Sequence, residues 1–261
     1  MHNKTITKYQ IKKARLHISK GNTKIGKGIY SFSTLPGNKK HMIYANDELL
    51  TDIPGTCTKH CESCANACYA FSSAKLHHNA VIPAWGENTL LLRSGKLKDE
   101  IDKYITKKNK NKVCVKTLRI HVSGEIRSEK DIEMWNELAK LHPETVFSTY
   151  TKNYEAVDKF MQTHKNTEPN FVINISQWHG CANKFLAKYP GKFNVFTYND
   201  ANLKNNGLSE SEIEALAKLP KCPAVTKEGK HAKDKNGNPI LCENCMRCYR
   251  KTGKETAVWS H

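Results

Sequence analysis

The sequence predicts an α/β protein, a whole or partial (β/α) TIM-like barrel carrying a C-terminal cysteine-rich metal-binding appendage. Three observations predict it. Between residues 113 and 200, short runs rich in β-branched and aromatic residues alternate with single amphipathic stretches, so successive strands must pair in parallel through right-handed crossovers. Each run ends in polar residues, namely Ser123-Gly124-Glu125, Thr151-Lys152, Gln177 to His179 and Asn199-Asp200, and active sites of such barrels gather at those strand ends. From residue 220 the alternation stops and cysteines take over. Residues 1–219 are therefore expected to form a barrel-like domain with an N-terminal hairpin and a cysteine loop at 57–68, and 220–261 the appendage. A doubly wound sheet is the other topology that the alternation allows.

The elements follow in order. Residues 25–45 place IYSF and HMIYA around Pro36-Gly37-Asn38, the pattern of a short β-hairpin. After Cys68, the spacing of Tyr69, Leu76, Val81, Ile82 and Trp85, then Leu90, Leu91, Leu97 and Ile101, predicts two or three helices broken near Pro83, Gly86 and Gly95. The solvated loop KKNKNK closes that segment. VCVKTLRIHVSG (113–124) predicts a buried strand, and Ser128 with Asp131 a helix cap ahead of Ile132, Trp135, Leu138 and Ala139 on one face. VFSTYTKN (146–153) predicts a second strand, followed by a helix carrying Val157, Phe160 and Met161. NFVINISQW (170–178) is the third, followed by a helix over about 182–188, and NVFTYND (194–200) the fourth. Ser209 and Glu212 match a capping box opening a short helix that ends near Leu219, and Asn236-Gly237 marks a later hairpin.

Composition narrows the function classes. The 42 Lys and Arg against 25 Asp and Glu give a net charge of +17, a field that attracts polyanions, so nucleic acid or a nucleotide is the expected partner. Lysines scattered by an AT-biased coding sequence are the plainer explanation of the same charge. MHNKTITKYQIKKARLH lacks the apolar core of an export signal, and no apolar run nears the roughly 20 residues of a membrane span, so a cytoplasmic protein without membrane contact is expected. In that reducing setting ten cysteines are read as metal ligands or redox groups rather than disulfides. The sequence has no Gly-rich phosphate loop, HExxH helix or Ser-centred elbow, which disfavours nucleotide-driven motors and hydrolases.

Two cysteine groups carry the chemistry. Cys242, Cys245 and Cys248 follow CxxCxxC, with Cys222-Pro223 twenty residues upstream. One remote thiol plus three in a tight loop is the grouping that wraps a [4Fe-4S] cluster, whereas zinc prefers two separate CxxC knuckles, so iron-sulfur is favoured and zinc is the alternative. The other group, CTKHCESCANACYA, brings Cys57, Cys61, Cys64 and Cys68 together. Three thiolates would leave one iron open for a cofactor, while four would make a closed structural or electron-carrying site.

Residues 57–64 read CxxxCxxC and resemble the signature by which radical S-adenosylmethionine enzymes hold a [4Fe-4S] cluster. VSGE (122–125) is similar to the GGE-like turn of those enzymes. That resemblance implies that Ser123, Gly124 and Glu125 bind the cofactor and that Glu125 receives the methionine amino group. DIPGTCTKHCESCANACYA, then LRIHVSGEIRSEKDIEMWNELAKLHPETVFSTYTKN, then CP and CENCMRCY, resemble in this order the phage gene 88 protein family, over roughly residues 25–255. This resemblance implies a phage or prophage origin, host cytoplasm, and two cysteine-rich elements flanking an α/β core, and it supplies no substrate. More remotely, a cysteine loop ending in CYA before a partial barrel is similar to spore photoproduct lyase, which implies Cys57, Cys64 and Cys68 as ligands with Cys61 spare. Ser63 before Cys64 departs from the aromatic residue of the common radical motif, and Tyr69 after Cys68 favours the second register.

Other candidates stand beside these. Thr151 and Lys152 lie where a ligand carboxylate or phosphate could be held, although a Lys at a strand end needs no function. Cys181, near His179, could donate a hydrogen atom or act as a nucleophile. Cys114 is read as a buried small hydrophobe and His121 as a hydrogen-bonded core histidine. Met246 to Lys251 mixes basic and aromatic residues in a way that suits nucleic acid. The expected function is a radical S-adenosylmethionine-like enzyme with two [4Fe-4S] clusters, fed by a reductant such as flavodoxin or ferredoxin. The alternative is a non-enzymatic iron-sulfur or zinc module that binds nucleic acid or a host protein.

Overall fold

The computed structural model describes residues 14–22, 25–60, 62–66, 68–178, 180–199, 209–224 and 230–259. Strands β1 (Ile18–Asn22) and β2 (Gly26–Phe32) pair antiparallel as the first hairpin. The expected partner of IYSF, HMIYA, does not pair with it. Tyr44-Ala45 (β3) folds onto Glu48–Leu49 (β4) instead, after a tight turn in which Asn38 and His41 exchange backbone hydrogen bonds. Next come α1 (Glu62–Asn66), α2 (Tyr69–Leu76), α3 (His78–Arg93) and α4 (Leu97–Lys110). Pro83 lies six positions into α3 and Gly86 is tolerated within it, so of the three expected breaks only that at Gly95 forms, where φ is +75°, while α2 and α3 part at His77.

The βα repeats then appear as β5 (Thr117–Arg119), α5 (Glu129–Leu141), β6 (Val146–Thr151), α6 (Tyr154–Thr163), β7 (Phe171–Gln177), α7 (Asn183–Lys188) and β8 (Asn194–Asn199). The first strand is far shorter than 113–124 suggests. Its pairing ends at Arg119, His121 has φ +52°, and Cys114 precedes the strand and is exposed rather than a buried hydrophobe. Ser128 occupies the N-cap of α5 without a side-chain bond, because Asp131 is turned to Arg127: it accepts from the Arg127 backbone and Nε at 2.9 Å and from Nη2 at 2.6 Å. The capping box at Ser209 and Glu212 does form, opening α8 (Glu210–Lys218). The cysteine-rich end contributes the one-turn helix α9 (Cys242–Cys245), a 3-10 turn at Arg247–Tyr249 and β9 (Glu255–Trp259).

Among the described residues the main sheet has seven strands in the order β1-β2-β5-β6-β7-β8-β9, parallel from β2 onward and open at β1 and β9. The order advances in one direction, so right-handed crossovers put α5, α6 and α7 on one face; a doubly wound sheet would reverse at a switch point. Residues 220–261 do not stand apart as expected of an appendage, since β9 extends this sheet beside β8.

Strand alternation separates two environments. Phe32, Leu118, Ile120, Phe147, Ile173 and Ile175 point to the helices and meet Ile101, Trp135, Leu138, Phe160 and Phe185 in the main core. The other face carries Ile29, Ser31, Arg119, Ser148, Tyr150 and Asn174, and the cysteine-rich end covers it: Tyr249 packs on Ile25 and Ile29, with Cys242, Met246 and Cys248 alongside. Among the described residues no helix is long and apolar enough to cross a membrane.

Candidate functional site

The first cysteine loop is stitched over the C-terminal ends of the strands. Thr56 N–H donates to Leu35 O at 3.0 Å and Cys57 N–H to Gly37 O at 2.8 Å, while Arg93 Nη2 donates to the carbonyls of Pro54 and Gly55. A Cβ at Gly55 would overlap the Pro36 carbonyl, so the loop can lie this close only with glycine there. The VSGE turn docks from the other side. Gly124 has φ +83°, and a Cβ on it would overlap the Thr34 and Thr56 hydroxyls. Those hydroxyls form a buried chain: Thr34 Oγ1 meets Thr56 Oγ1 at 2.9 Å and His121 Nδ1 at 3.3 Å, and Glu125 N–H donates to Thr56 Oγ1 at 2.8 Å.

The sequence-predicted residues largely converge here. The Cys57 thiol is pushed up by burial and by the Glu125 carboxylate, offset in part by the Gly37 backbone, and it lies in the field of Cys68 and Cys64. Three of the four thiols of the loop therefore share one neighbourhood; Cys61 lies outside the described residues. Glu125 is buried. Its carboxylate accepts from Ile126 N–H at 2.8 Å and Lys152 N–H at 2.9 Å and bonds to Thr151, and burial raises its pKa against these bonds and the Lys152 charge. Burial alone would lower the Lys152 ammonium, but Cys64 and Glu125 hold it above its ordinary value, and its Nζ bonds to Cys64. Ser123 Oγ is buried and makes no hydrogen bond. The thiols are gathered without being drawn to ligand spacing: among the described residues no three His, Cys, Asp or Glu side chains form a group that could hold a metal ion.

Beside this cluster opens a cleft of about 190 Å³ lined by Lys59, His60, Lys152, Tyr154, Trp178 and Cys181. Lys152 Nζ stands 5.0 Å from the centre of the Trp178 ring, which stacks on Tyr198 at 3.9 Å with 8° between planes. Both rings sit at strand ends, Trp178 one residue past β7 and Tyr198 on β8. Lys59 is paired with Glu155 at 2.7 Å, and His60 donates from Nδ1 to the Cys57 carbonyl at 2.6 Å while its Nε2 meets His41 Nδ1 at 3.1 Å. Cys181 is exposed, as a thiol that meets a ligand must be; His179 lies outside the described residues. Sequence reasoning missed Trp178, Tyr198 and Lys59. The signal for Trp178 was its place one residue beyond a strand end.

The second group sits deeper on the inner face. Cys248 O accepts from Ser148 Oγ at 2.7 Å and Asn174 Nδ2 at 3.1 Å. Its thiol bonds to Tyr150 and lies in the field of Cys222 and Cys242, and burial pushes it up to about 12. α9 is fastened to β2 at both ends of one residue, since Glu243 N–H donates to Ile25 O and Glu243 Oε2 accepts from Gly28 N–H at 2.9 Å. Cys245 lies on the same one-turn helix as Cys242.

Arg119 separates the two groups. Its guanidinium lies 5.0 Å from the centre of the Tyr150 ring, and Tyr249, Tyr69 and Cys248 are in its field. Tyr69, the residue after Cys68, donates its phenol proton to Val122 O and so ties the first loop to the end of β5.

No curated protein and no solved structure gives a significant match to the chain. A family model does, over residues 11–251, which include both cysteine groups, the VSGE turn and the strands between them. The chain belongs to the gene product 88 family.

Proposed function

We propose that the chain is a phage iron-sulfur enzyme of the radical S-adenosylmethionine type, acting on a nucleotide or nucleic acid within a partial (β/α) barrel. The observation that carries this reading is the meeting of Cys57, Cys64 and Cys68 with Glu125 and Lys152 at the carboxyl ends of parallel strands, beside an aromatic and cationic cleft. Thiol donors of this kind fit a thiophilic metal, and three of them from one loop suit a [4Fe-4S] cluster with one open iron. When bound, such a cluster supplies the electron that cleaves S-adenosylmethionine.

The protein's own residues divide the remaining tasks. Glu125 keeps a carboxylate beside Cys57 and offers a negative partner to a cofactor amino group, the role given it by the VSGE turn. Ser123 Oγ, buried without a partner, supplies a further polar contact. Lys152 holds negative charge at Cys64, and Trp178 with Tyr198 offers a face on which a base can stack. Cys181 lines the cleft where a thiol could return a hydrogen atom to a substrate. Cys222, Cys242, Cys245 and Cys248 hold a second cluster that relays electrons or anchors substrate, and a flavodoxin or ferredoxin is the expected reductant.

The rival reading is a non-enzymatic, zinc-bearing or iron-sulfur module that binds nucleic acid. It is favoured by Glu125, whose carboxylate already serves two backbone N–H groups. Anaerobic purification with iron and sulfide counting, then dithionite and S-adenosylmethionine, separates the two. The enzyme reading expects brown protein and 5'-deoxyadenosine, both lost in Cys64→Ser and Cys68→Ser and retained in Cys61→Ser. Colourless protein containing only zinc overturns it.

A further inference from the structure

We propose that Arg119, with Ser31 beside it, anchors a phosphate-type oxyanion of the ligand between the two cysteine groups. Strand alternation fixes where they point. Leu118 and Ile120 enter the helix-covered core, so Arg119 faces the inner side; Ser31 is its direct partner across the β2–β5 ladder and shares its face with Ile29. On the far side Arg119 is in register with Ser148, whose hydroxyl is already given to Cys248 O.

Both side chains are unsatisfied. Arg119 Nε and Ser31 Oγ are buried and make no hydrogen bond, and among the described residues Arg119 has no ion pair. Arg119 taken as a whole residue is half-buried, so it is not sealed within the core. Its neighbours Tyr69, Tyr150 and Tyr249 are aromatic, and burial raises all three phenols, so they stay neutral and contribute no counter-charge; the Tyr150 ring alone meets the guanidinium face. A guanidinium taken from water without a carboxylate is strongly disfavoured unless an anion meets it there. The side edge of the guanidinium presents two parallel N–H groups that match two oxygens of an oxyanion, and the Ser31 hydroxyl adds a third donor. A net charge of +17 draws phosphate-bearing partners toward the face.

The inference deepens the nucleotide reading above by naming the group that a nucleotide would place there, but the anchor needs no metal chemistry. Phosphate binding can therefore fail while deoxyadenosine formation persists, and the reverse. The test is calorimetric titration of the anaerobically purified full chain with inorganic phosphate, deoxyadenosine monophosphate and acetate at constant ionic strength. Both phosphates are expected to bind and acetate is not. Arg119→Lys should weaken phosphate by about tenfold, because an ammonium loses the fork, and Ser31→Ala by about threefold, the share of one neutral hydrogen bond. Melting temperature and metal content should stay at wild-type values in Arg119→Lys, which also carries the test if Arg119→Gln does not fold. The proposal is overturned if the wild type ignores phosphate, if acetate binds as tightly, or if Arg119→Lys keeps full phosphate affinity while losing metal. The last outcome would make Arg119 the charge balance of a cluster instead.

Discussion

The two cysteine groups are built from the same residue type and held in opposite ways. The first rides on a loop over the strand ends, where its thiols meet a carboxylate, an ammonium and an open cleft. The second lies against the middle of the sheet, with its backbone bonded to Ser148 and Asn174 and its apolar neighbours packed on Ile25 and Ile29. Charge and access set the first group apart, and backbone anchoring with apolar cover the second. The same residue type thus stands in an open setting at the strand ends and in a covered setting against the sheet.

Asn174 is the sharpest point at which to break that contrast. Its amide donates to Ser148 Oγ at 3.1 Å, Thr149 O at 2.9 Å and Cys248 O at 3.1 Å, and accepts from Asn194 at 2.9 Å. Asn174→Ala strands several buried partners at once and should cost about 4 kcal/mol, read as a shift of the urea midpoint. On the proposed two-cluster reading, metal should be lost from the second group before the first. Equal loss from both would show that the groups do not differ in the way their surroundings imply.

The first group rests on a network that acid should loosen. His121 is buried, its Nε2 has no partner and its Nδ1 meets Thr34, so protonation would bury a second N–H without an acceptor; burial lowers its pKa to about 4. An unfolded histidine titrates near 6.5, so the folded state binds fewer protons between those values. The contribution is complete above pH 6.5 and is lost as the pH falls toward 4, about 3 kcal/mol in all. His121→Asn, which tolerates the left-handed backbone at this position, should flatten that slope in urea titrations at stepped pH. An unchanged slope would remove the histidine from the support of the first loop.

Much of this was legible in the sequence, for reasons that can be named. The strands at 146–151, 171–177 and 194–199 are short runs rich in β-branched and aromatic residues with polar ends, and the helices between them carry one apolar face each, so local pattern alone places them. Glu125, Lys152 and the thiols of Cys57, Cys64 and Cys68 come together because all lie at strand ends or on the loop that covers them. What local pattern could not carry was pairing over distance. Local pattern joins IYSF to the nearest extended run, HMIYA, whereas β2 takes β1 before it and β5 some ninety residues after it, a separation at which pairing leaves no local signal. The last residues looked separate because cysteines interrupt their periodicity, yet β9 closes the row beside β8. Arg119 gave no signal at all, since one Arg between Leu118 and Ile120 reads as the solvent face of a strand, and only the cover supplied by the second cysteine group makes that face an interior.

The smallest expected effect lies with the exposed thiols. Cys114 and Cys181 are exposed, while Cys57 and Cys248 are partly covered and burial holds both thiols in the protonated form. Brief iodoacetamide treatment followed by peptide mass spectrometry should label Cys114 and Cys181 first and Cys57 and Cys248 last, because the thiolate is the reacting species. Cys181→Ser should then change stability by less than about 0.5 kcal/mol, as an exposed substitution does. If the cleft is where chemistry occurs, the wild-type thiol is the informative probe: a ligand bound beside Lys152 and Trp178 should slow labelling of Cys181 and leave that of Cys114 unchanged, since among the residues lining the cleft Cys181 is the thiol. Equal protection of both would mean that the ligand closes the whole molecule rather than filling this cleft, and the contrast between an open end and a covered end would fail.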